Sequence, residues 1–397
     1  MLQQSEIELI HACSTPSYPI NSYNEWSPLK EVIVGSPLSY EANDLDLSFK
    51  LFYFDTAFSA FGYPKYGKID SSANPEQIKR QAINKRYLEE LNEDIEGFVD
   101  VLEKEGVRVF RPLELKDVFE FKTPHWKATG IPALNVRDQA IIFGDEIIET
   151  SPQVRARYFE NDLLKPIFYH YFNLGSKWTA MPRPVMTDSS FDFSYVEEIE
   201  ALTYSTEEPY EKKVPSLNVG YEMLFDGAQC LRFGKDVLVN VATQNHNLGF
   251  QWLQKHLGEK FRLHKAYRLT DHHIDSTVLP LKPGKLLLRN QECFELLPDF
   301  LKKWDIIYAP EPEANIFPNY ESDDLVLTTK YIDLNVLSLD EEKVIVNACF
   351  PELIKILEQN GFTPIPVRHR HRRIFGGGFH CFTLDTVRAG SLEDYFS

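Results

Sequence analysis

The sequence predicts an α/β protein in which five repeated units surround a common axis. Five short apolar or β-branched runs have similar surroundings, helix and strand patterns follow them, and polar residues recur just before them. The runs, interpreted as equivalent strands, are LKEVIVGSP, QAIIFGDEI, KDVLVNVAT, GKLLLRNQE and EKVIVNACF. Units of this size cannot bury separate cores, so we expect a five-bladed α/β ring.

Each unit is predicted to continue through a helix, a chain break and another strand. The clearest helix is predicted over residues 75–105, with one apolar face behind an Asn74 cap, and it ends at Gly106 before the strand VRVFRP. The same order recurs in LIKILEQNGFTPIPV, where Gly361 suits the left-handed position after a helix. Weaker copies end in FRLHKA, WDIIYAP and KWTAMPRP.

Two insertions interrupt the repeat. Residues 37–72 are rich in aromatic side chains, and residues 187–222 mix acids with aromatics. Long irregular loops form lids and substrate walls or simply cover the surface, and both interpretations stay open here. No Pro-, Gly- or Ser-rich linker divides the chain, so one catalytic domain is expected over residues 21–397, after an N-terminal extension of residues 1–20.

Composition limits the classes of partner. The formal net charge is -17, which argues against nucleic-acid phosphates and anionic membranes and suits a cationic or neutral small ligand. The five cysteines are scattered without a C-x-x-C pair, so neither a disulfide framework nor a zinc ribbon is expected. The chain shows neither a signal peptide nor an apolar run of about 18 residues, so a cytoplasmic protein is expected.

Polar residues precede the strand of every unit, and rotation about the axis would bring them into one central cavity. They are Arg137, Asp138, Asp226, His273, Asp275, Asn335 and Cys381. A thiol becomes nucleophilic when an imidazolium or bound cation lowers its pKa, and Asp226 would orient and charge His273 for proton transfer. Asp138 and Asp275 would repel each other unless a cation lay between them, and a planar guanidinium suits that place.

Each of these residues also has a simpler interpretation. A lone buried cysteine commonly acts as a small apolar side chain, aspartates often cap turns, and the HHID stretch could lie at the surface or belong to a metal site. The basic run RHRHRR, residues 368–373, is interpreted as a solvated edge. It is the joint position of the polar residues in five units that favours a functional cavity.

From about Asn21 to Ser397 the chain resembles the amidinotransferases, the group that includes the arginine:glycine and inosamine-phosphate enzymes. The matching motifs are NSYNEWSPLKEVIVG, FKTPHWKATG, VRDQAIIFGDEIIE, KWTAMPRPVM, FDGA, HIDST and GGGFHCFTLDTVR. The fold that this resemblance implies is the pentein fold, a five-bladed α/β propeller with pseudo-fivefold ββαβ modules.

The resemblance also implies roles for the polar residues. Cys381 would be the nucleophile, His273 and Asp226 the acid–base pair, and Asp138 and Asp275 the carboxylates that bind a guanidinium. It implies a ping-pong reaction: Cys381 attacks the guanidino carbon of L-arginine, ornithine leaves, and the amidino group passes from the cysteine to a primary amine. No metal or organic cofactor is implied. Arg137 and Asn335 are assigned to substrate binding in the same cavity.

The chain departs from the glycine-using members at several positions. Their Asn-Pro-Asp-Arg segment, whose arginine holds the amino-acid carboxylate, is replaced by RNQE at residues 289–292. Either Arg289 binds a carboxylate from a shifted position, or Glu292 favours an acceptor with a second amine and no carboxylate. Thr328 and Thr329 replace a serine pair, and His272 replaces a methionine. These five residues are assigned to substrate binding.

We therefore expect an acceptor other than glycine, such as a precursor amine of a guanidino toxin of the saxitoxin type. Two alternatives remain open at this point. An arginine deiminase-like hydrolase would use the same side chains to give citrulline, and a catalytically silent protein would bind arginine without turnover. The expected partners are L-arginine and a small amine, and formation of a homodimer is left open.

Overall fold

The computed structural model describes residues 17–40, 46–52, 83–115, 119–192, 221–313, 316–320 and 328–397. The strands are β1 (Leu29–Val34), β2 (Arg108–Phe110), β3 (Glu120–Lys122), β4 (Lys127–Thr129), β5 (Ala140–Phe143), β6 (Glu146–Glu149), β7 (Lys177–Ala180), β8 (Cys230–Phe233), β9 (Asp236–Val241), β10 (Arg262–Tyr267), β11 (Val278–Lys282), β12 (Lys285–Leu288), β13 (Asp305–Tyr308), β14 (Leu337–Ser338), β15 (Lys343–Asn347), β16 (Thr363–Val367) and β17 (Thr383–Arg388). The α-helices are α1 (Leu47–Phe52), α2 (Lys85–Lys104), α3 (Val136–Gln139), α4 (Lys165–Asn173), α5 (Gln244–Leu257), α6 (Gln291–Glu295), α7 (Pro351–Gln359) and α8 (Arg372–Phe375).

Five three-stranded sheets share one strand order within the described part of the chain: β17-β1-β2, β5-β6-β7, β8-β9-β10, β11-β12-β13 and β14-β15-β16. In each sheet the first strand is antiparallel to the second, and the second is parallel to the third. A parallel pair needs a crossover, which α2, α4, α5, α6 and α7 supply. The predicted ring of five ββαβ modules is confirmed.

The two ends of the chain complete one sheet together. Strand β17 pairs with β1 from Leu29 opposite Arg388 to Val34 opposite Thr383. Strand β17 also contacts β5, and β8 contacts β11, so first strands of different sheets meet around the ring. The last strand therefore closes the ring on the first sheet.

One of the five predicted strand assignments was wrong. Four of the runs supply second strands, namely β1, β9, β12 and β15, but QAIIFGDEI spans a hairpin. Its AIIF portion is the first strand β5, and EIIE is the second strand β6. Gly144, with φ of 64°, lies in the tight turn between them.

The helix predicted over residues 75–105 is observed from Lys85, and its predicted start lies outside the described residues. Helix α2 begins at Lys85, and the side chain of Asn84 caps it by accepting the Arg86 N–H at 3.0 Å. Residues 83–84 are not helical, and the predicted cap Asn74 lies outside the described residues. The predicted end is confirmed, because Gly106 follows the helix with φ of 80°.

The basic run at residues 368–373 is not a solvated edge. Arg368 and Arg370 pair with the buried Asp94 of α2, each at 2.9 Å, and Arg372 is fully buried against Asp333 at 2.8 Å. Burial of an arginine requires such pairing. The run therefore attaches α2 to the fifth module.

The predicted insertions and extension are described only in part. Residues 37–40 and 46–52 of the first insertion are described, including α1, whereas residues 53–82 and 193–220 lie outside the described part. Of the predicted extension, residues 17–20 are described, and Ile20 packs in the core against Ile33 and Val387. None of the helices that the structure describes combines the length and apolarity that a membrane crossing needs.

Candidate active site

The polar residues that were predicted to converge lie in the short segments just before the first strand of each sheet. Helix α3 precedes β5, Asp226 caps the 3-10 turn Gly227–Gln229 before β8, and the remaining groups precede β11, β14 and β17. Because first strands line the ring, their entry segments meet at its centre. The residues linked there by contacts are Asp138, Asp226, His273, Asp275, Asn335 and Cys381.

The thiol of Cys381 is buried among polar groups. Its Sγ donates to Asp275 Oδ2 at 3.3 Å, and its backbone N–H donates to Asn335 Oδ1 at 2.8 Å. Burial, together with the carboxylates of Asp275 and Asp138, raises the pKa of the thiol well above its usual value. The thiol is therefore protonated at neutral pH, and the imidazolium expected from the sequence does not lower its pKa enough. A bound cation would be needed.

The imidazole of His273 lies between two carboxylates. Its Nε2 bonds to Asp226 Oδ2 at 2.9 Å, and its Nδ1 lies 3.6 Å from Asp138 Oδ1. Burial lowers the pKa of His273, but the carboxylates of Asp138 and Asp226 outweigh burial and raise it to about 9. His273 is therefore an imidazolium at neutral pH, ready to donate a proton.

Three buried carboxylate oxygens of this cavity have no hydrogen-bond partner among the described residues: Oδ1 of Asp138, of Asp226 and of Asp275. Burial raises the pKa of Asp138, whereas the hydrogen bond and charge of His380 outweigh burial and lower the pKa of Asp275. Buried acceptors without partners are costly unless a ligand supplies donors. A guanidinium, with five N–H donors and a positive charge, would supply them.

A metal ion is a second kind of ligand for this cavity. Asp138, Asp226 and His273 offer ligand atoms within 4.8 Å of one another. A metal would have to displace the proton that the neighbouring carboxylates favour on His273, whereas a guanidinium can bind while the ring stays protonated. The protonation state of the site therefore favours an organic cation.

Arg157 and Glu160, which the sequence analysis did not identify, hold the carboxylate of Asp138 in place. Arg157 Nη1 donates to Asp138 Oδ2 at 2.5 Å, while its Nε and Nη2 donate to the two oxygens of Glu160 at 2.6 and 2.8 Å. Burial raises the pKa of Glu160 and Arg157 opposes it, with a net value of about 7. Both residues come from 3-10 segments without a regular pattern, so no sequence signal pointed to them.

His380 supports the carboxylate on the other side of the cavity. Its Nδ1 bonds to Asp275 Oδ2 at 2.8 Å, and its Nε2 lies 3.3 Å from Glu25 Oε2. The only sequence signal was its position next to Cys381. Asp275 thus has one oxygen fixed by His380 and the thiol, and the other directed elsewhere in the cavity.

Two residues assigned to substrate binding lie elsewhere. The guanidinium of Arg137 donates to Asp385 Oδ1 at 2.9 Å and to the His380 carbonyl at 2.8 Å, so it belongs to the scaffold beneath the site. Glu292 is exposed in the first turn of α6 and accepts from Asn290 Nδ2 at 2.8 Å. Substrate binding was predicted for both because of their positions in the sequence. The contacts of their side chains do not support that role.

Three further assigned residues, Arg289, Thr328 and Thr329, lie in the fourth and fifth modules. Arg289 is buried, donates to the Ser276 carbonyl at 3.2 Å and lies over the Tyr331 ring at 5.2 Å. The hydroxyl of Thr328 donates to the Arg372 carbonyl at 3.2 Å. Thr329 accepts the Tyr331 N–H at 3.3 Å. These contacts hold the three side chains in place without revealing a ligand.

His272 is covered by the end of α1. The ring of Phe52 stacks on His272 at 4.4 Å and 21° and meets His273 edge-on at 5.3 Å. Burial holds the pKa of His272 well below its usual value, so this imidazole is neutral. The described end of the first insertion thus forms a wall beside the reactive imidazole.

Comparisons with known proteins agree with this geometry. No family model matches the chain. It is 34% identical over 385 residues to the L-arginine:L-lysine amidinotransferase of Pseudomonas savastanoi pv. phaseolicola, covering 95% of this chain and 96% of that protein. It is 32% identical to the mitochondrial glycine amidinotransferase of Xenopus tropicalis, over 96% of this chain and 85% of that one.

Solved structures give the same family. An amidinotransferase of the saxitoxin biosynthetic pathway from Microseira wollei has a TM-score of 0.76 and 33% identity, covering 95% of this chain and all 100% of that one. The inosamine-phosphate amidinotransferase of Streptomyces griseus has a TM-score of 0.79 and 32% identity, over 96% and 100% of the two chains. A dimethylarginine dimethylaminohydrolase, at 13% identity and a TM-score of 0.51, shares the fold. With identity above 30% along nearly its whole length, this chain belongs to the amidinotransferase family and is a transferase.

Proposed function

We propose that the protein transfers the amidino group of L-arginine to a primary amine other than glycine, through an amidino intermediate on Cys381. The observation that carries this proposal is the placement of a buried thiol 3.3 Å from Asp275, in the cavity that also holds the Asp226–His273 pair at 2.9 Å. A nucleophile, a proton donor and anionic acceptors are the groups that cleavage of a guanidinium requires.

The guanidinium of arginine would bind between Asp138 and Asp275. Each has one buried oxygen without a partner among the described residues, and each has its other oxygen fixed, by Arg157 and by His380. The bound cation would offset the negative field that raises the pKa of Cys381, so the thiol would lose its proton to solvent as arginine binds. Nucleophile activation would thereby depend on the substrate.

In the first half-reaction the Cys381 sulfur attacks the guanidino carbon. The bond from that carbon to the side-chain nitrogen of arginine breaks, and the His273 imidazolium gives its proton to the departing nitrogen. Ornithine leaves, and the amidino group stays on sulfur. The raised pKa of His273 supplies the protonated acid that this step uses.

The second half-reaction reverses the roles. The acceptor amine attacks the amidino carbon, the now neutral His273 takes a proton from the amine, and the carbon–sulfur bond breaks to release the Cys381 thiolate. The chemistry uses protein side chains alone. The His273 imidazole would thus act as the leaving-group acid in the first half-reaction and as the base in the second.

The choice of acceptor rests on what surrounds the shared site. The RNQE segment lacks an arginine at its fourth position, and Glu292 there is exposed. The relatives named above are described for lysine, glycine and inosamine phosphate, so acceptors differ within the family. The Microseira wollei relative acts in a toxin pathway, which supports an acceptor from specialised metabolism here.

Mass spectrometry after treatment with arginine alone tests the intermediate. We expect one amidino group on Cys381 and ornithine equal in amount to the enzyme, with continuous turnover when an amine is added. Cys381→Ala should form no adduct. Cys349→Ala, at a half-buried cysteine that binds the Asn347 side chain through its backbone, should behave as the wild type. Citrulline formed without an amine would contradict transfer, and rapid turnover with glycine would contradict its exclusion.

A further inference from the structure

The imidazole of His380 lies between two buried carboxylates that come from distant parts of the chain. Its Nδ1 lies 2.8 Å from Asp275 Oδ2, and its Nε2 lies 3.3 Å from Glu25 Oε2. The three residues are 2%, 1% and 3% exposed, in the order His380, Asp275, Glu25. An ionised carboxylate only accepts hydrogen bonds, so each ring nitrogen is placed to donate. The steps of amidino transfer described above give neither His380 nor Glu25 a role.

The backbone that carries this imidazole is fixed by Asn335. The His380 N–H donates to the Asn335 carbonyl at 3.2 Å, and the Cys381 N–H donates to Asn335 Oδ1 at 2.8 Å. A Cβ atom added at Gly378 would lie 2.7 Å from the Asn335 Cβ, so glycine permits this close approach. The position of the imidazole is therefore set by its own backbone, and Asp275 bonds to a donor that is already in place.

Glu25 holds the other side of the ring. Arg232 donates to both oxygens of Glu25, from Nε to Oε1 at 2.8 Å and from Nη2 to Oε2 at 2.7 Å. Burial raises the pKa of Glu25, but the charge of Arg232 and the hydrogen bonds of His380 and Arg232 outweigh burial and hold this pKa well below its usual value. Glu25 is thus an ionised acceptor in a fixed position behind His380.

Two donors meet at one oxygen of Asp275. His380 Nδ1 lies 2.8 Å and Cys381 Sγ lies 3.3 Å from Oδ2, whereas Oδ1 has no hydrogen-bond partner among the described residues. The thiol loses its proton when it becomes the nucleophile, so it cannot hold Asp275 throughout the proposed reaction. The imidazole of His380 takes part in neither half-reaction and keeps its N–H. It is therefore the donor that can hold Oδ2 from arginine binding to product release.

We propose that His380 is a positioning residue of amidino transfer: with Glu25 behind it, it holds Asp275 Oδ2 so that Oδ1 meets the guanidinium of arginine. The inference rests on the proposed function and adds two residues to it. The amidino group on the Cys381 sulfur is also a cation, so the same oxygen would serve it until the amine arrives. Loss of the Nδ1 donor should therefore weaken the binding of arginine.

Two substitutions of His380 test its two nitrogens separately. The amide nitrogen of asparagine can take the place of Nδ1, and that of glutamine can take the place of Nε2. His380→Asn therefore keeps a donor for Asp275, whereas His380→Gln keeps one for Glu25 alone. Single-turnover ornithine release gives the half-saturating arginine concentration separately from the maximal rate. We expect this concentration to rise at least about tenfold in His380→Gln and to stay within about threefold of the wild-type value in His380→Asn.

His264→Asn is the matched control. It shortens a half-buried histidine whose Nε2 bonds to Asp236 at 2.6 Å, on β9 and β10, and it should leave the arginine dependence unchanged. Equal half-saturating concentrations in the two His380 variants would mean that Nδ1 has no special part in arginine binding. That outcome would refute the positioning role.

A crystal structure of Cys381→Ala with bound arginine tests the inference without altering His380, and it decides the case if His380→Gln does not fold. We expect the guanidinium within hydrogen-bond distance of Asp275 Oδ1, while Oδ2 stays bonded to His380 Nδ1. A guanidinium bonded to Oδ2, with the imidazole turned away from Asp275, would overturn the inference.

The two proposals fail in different experiments. If arginine alone leaves no amidino group on Cys381 of the wild-type protein, the proposed function is refuted. If the adduct forms while the two His380 variants bind arginine alike, only the inference about His380 is refuted.

Discussion

The two reactive side chains, Cys381 and His273, lie in a field of negative charge. Asp138 and Asp275 act on both, and they have opposite effects: they stabilise the imidazolium and oppose the thiolate. A cationic substrate reduces that field where it binds. Under the proposed function, His273 would be ready as the acid in the unliganded site, and the nucleophile would be activated only when arginine binds.

The pH dependence of ornithine release should report the charge of Asp226. At saturating arginine, the single-turnover rate should fall as pH rises through the pKa of His273, which is about 9, because the leaving group then lacks its acid. Asp226→Asn removes a carboxylate that raises this pKa, so the fall should begin at a lower pH. Glu146→Gln, at a carboxylate bonded to His256 away from the site, should not move it. Profiles that coincide for wild type and Asp226→Asn would contradict the assignment.

The sequence predicted which residues meet in the cavity better than it predicted the residues that support them. Asp138 and Cys381 could be predicted because each enters the first strand of its module, and the repeat brings such positions together. Arg157 could not, because its position depends on how a 3-10 turn packs. Arg137 was misassigned because neighbours on the short helix α3 point in different directions, and its guanidinium meets Asp385 instead.

At the scale of elements, a closer comparison of the repeats would have predicted both strands of the hairpin in the second module. The segments IIFGDEII and LRFGKDVL both form hairpins, and Gly144 and Gly234 have similar positive φ values of 64° and 72°. Alignment of these two glycines places EIIE opposite DVLV, which is the observed register of second strands. Apolar composition alone could not separate two adjacent apolar strands.

Helix α2 binds the basic run through acids on its buried face. Asp94 accepts the Arg370 N–H at 2.7 Å and Arg368 Nε at 2.9 Å, and Glu90 bonds to the His371 ring at 2.5 Å. A charged run was interpreted as solvated because the sequence does not say which residues lie opposite it. The acids of α2 can be read in the sequence, but the residues they contact lie about 275 positions further along the chain. The sequence pattern therefore does not connect the two.

Loss of Asp94 should loosen this attachment. Asp94→Ala removes the buried carboxylate that the exposed Arg368 and the partly exposed Arg370 share, and we expect the free energy of unfolding to fall by about 1–3 kcal/mol. Urea denaturation measures it. Asp100→Ala, at an exposed aspartate of the same helix, should change it by less than about 0.5 kcal/mol. Equal effects of the two substitutions would show that the contact contributes little.

At the scale of the whole molecule, one buried ion cluster joins both chain ends to two modules and extends to the active site. It consists of Glu25, Arg137, Arg232, Asp385 and Arg388. Glu25 also contacts His380, which holds Asp275 at the thiol. Closure of the ring and the position of the guanidinium-binding carboxylate therefore depend on the same contacts.

Asp385 accepts from three arginines of this cluster, and its replacement should weaken the whole ring. Burial raises the pKa of Asp385, but the guanidinium groups of Arg232 and Arg137 outweigh burial and hold it below its usual value. Its contribution to stability is therefore fully present above the unfolded pKa, about 4, and is lost only as pH falls toward the folded value. Asp385→Asn leaves Arg388 without a carboxylate and leaves Arg137 and Arg232 sharing Glu25, so the free energy of unfolding in urea should fall by about 3–5 kcal/mol at neutral pH. Asp394→Asn breaks a partly exposed pair with Arg262 and should cost less than about 1 kcal/mol. A loss for Asp385→Asn no larger than that of Asp394→Asn would mean that the strand pairing of β17 with β1 closes the ring without the ion cluster.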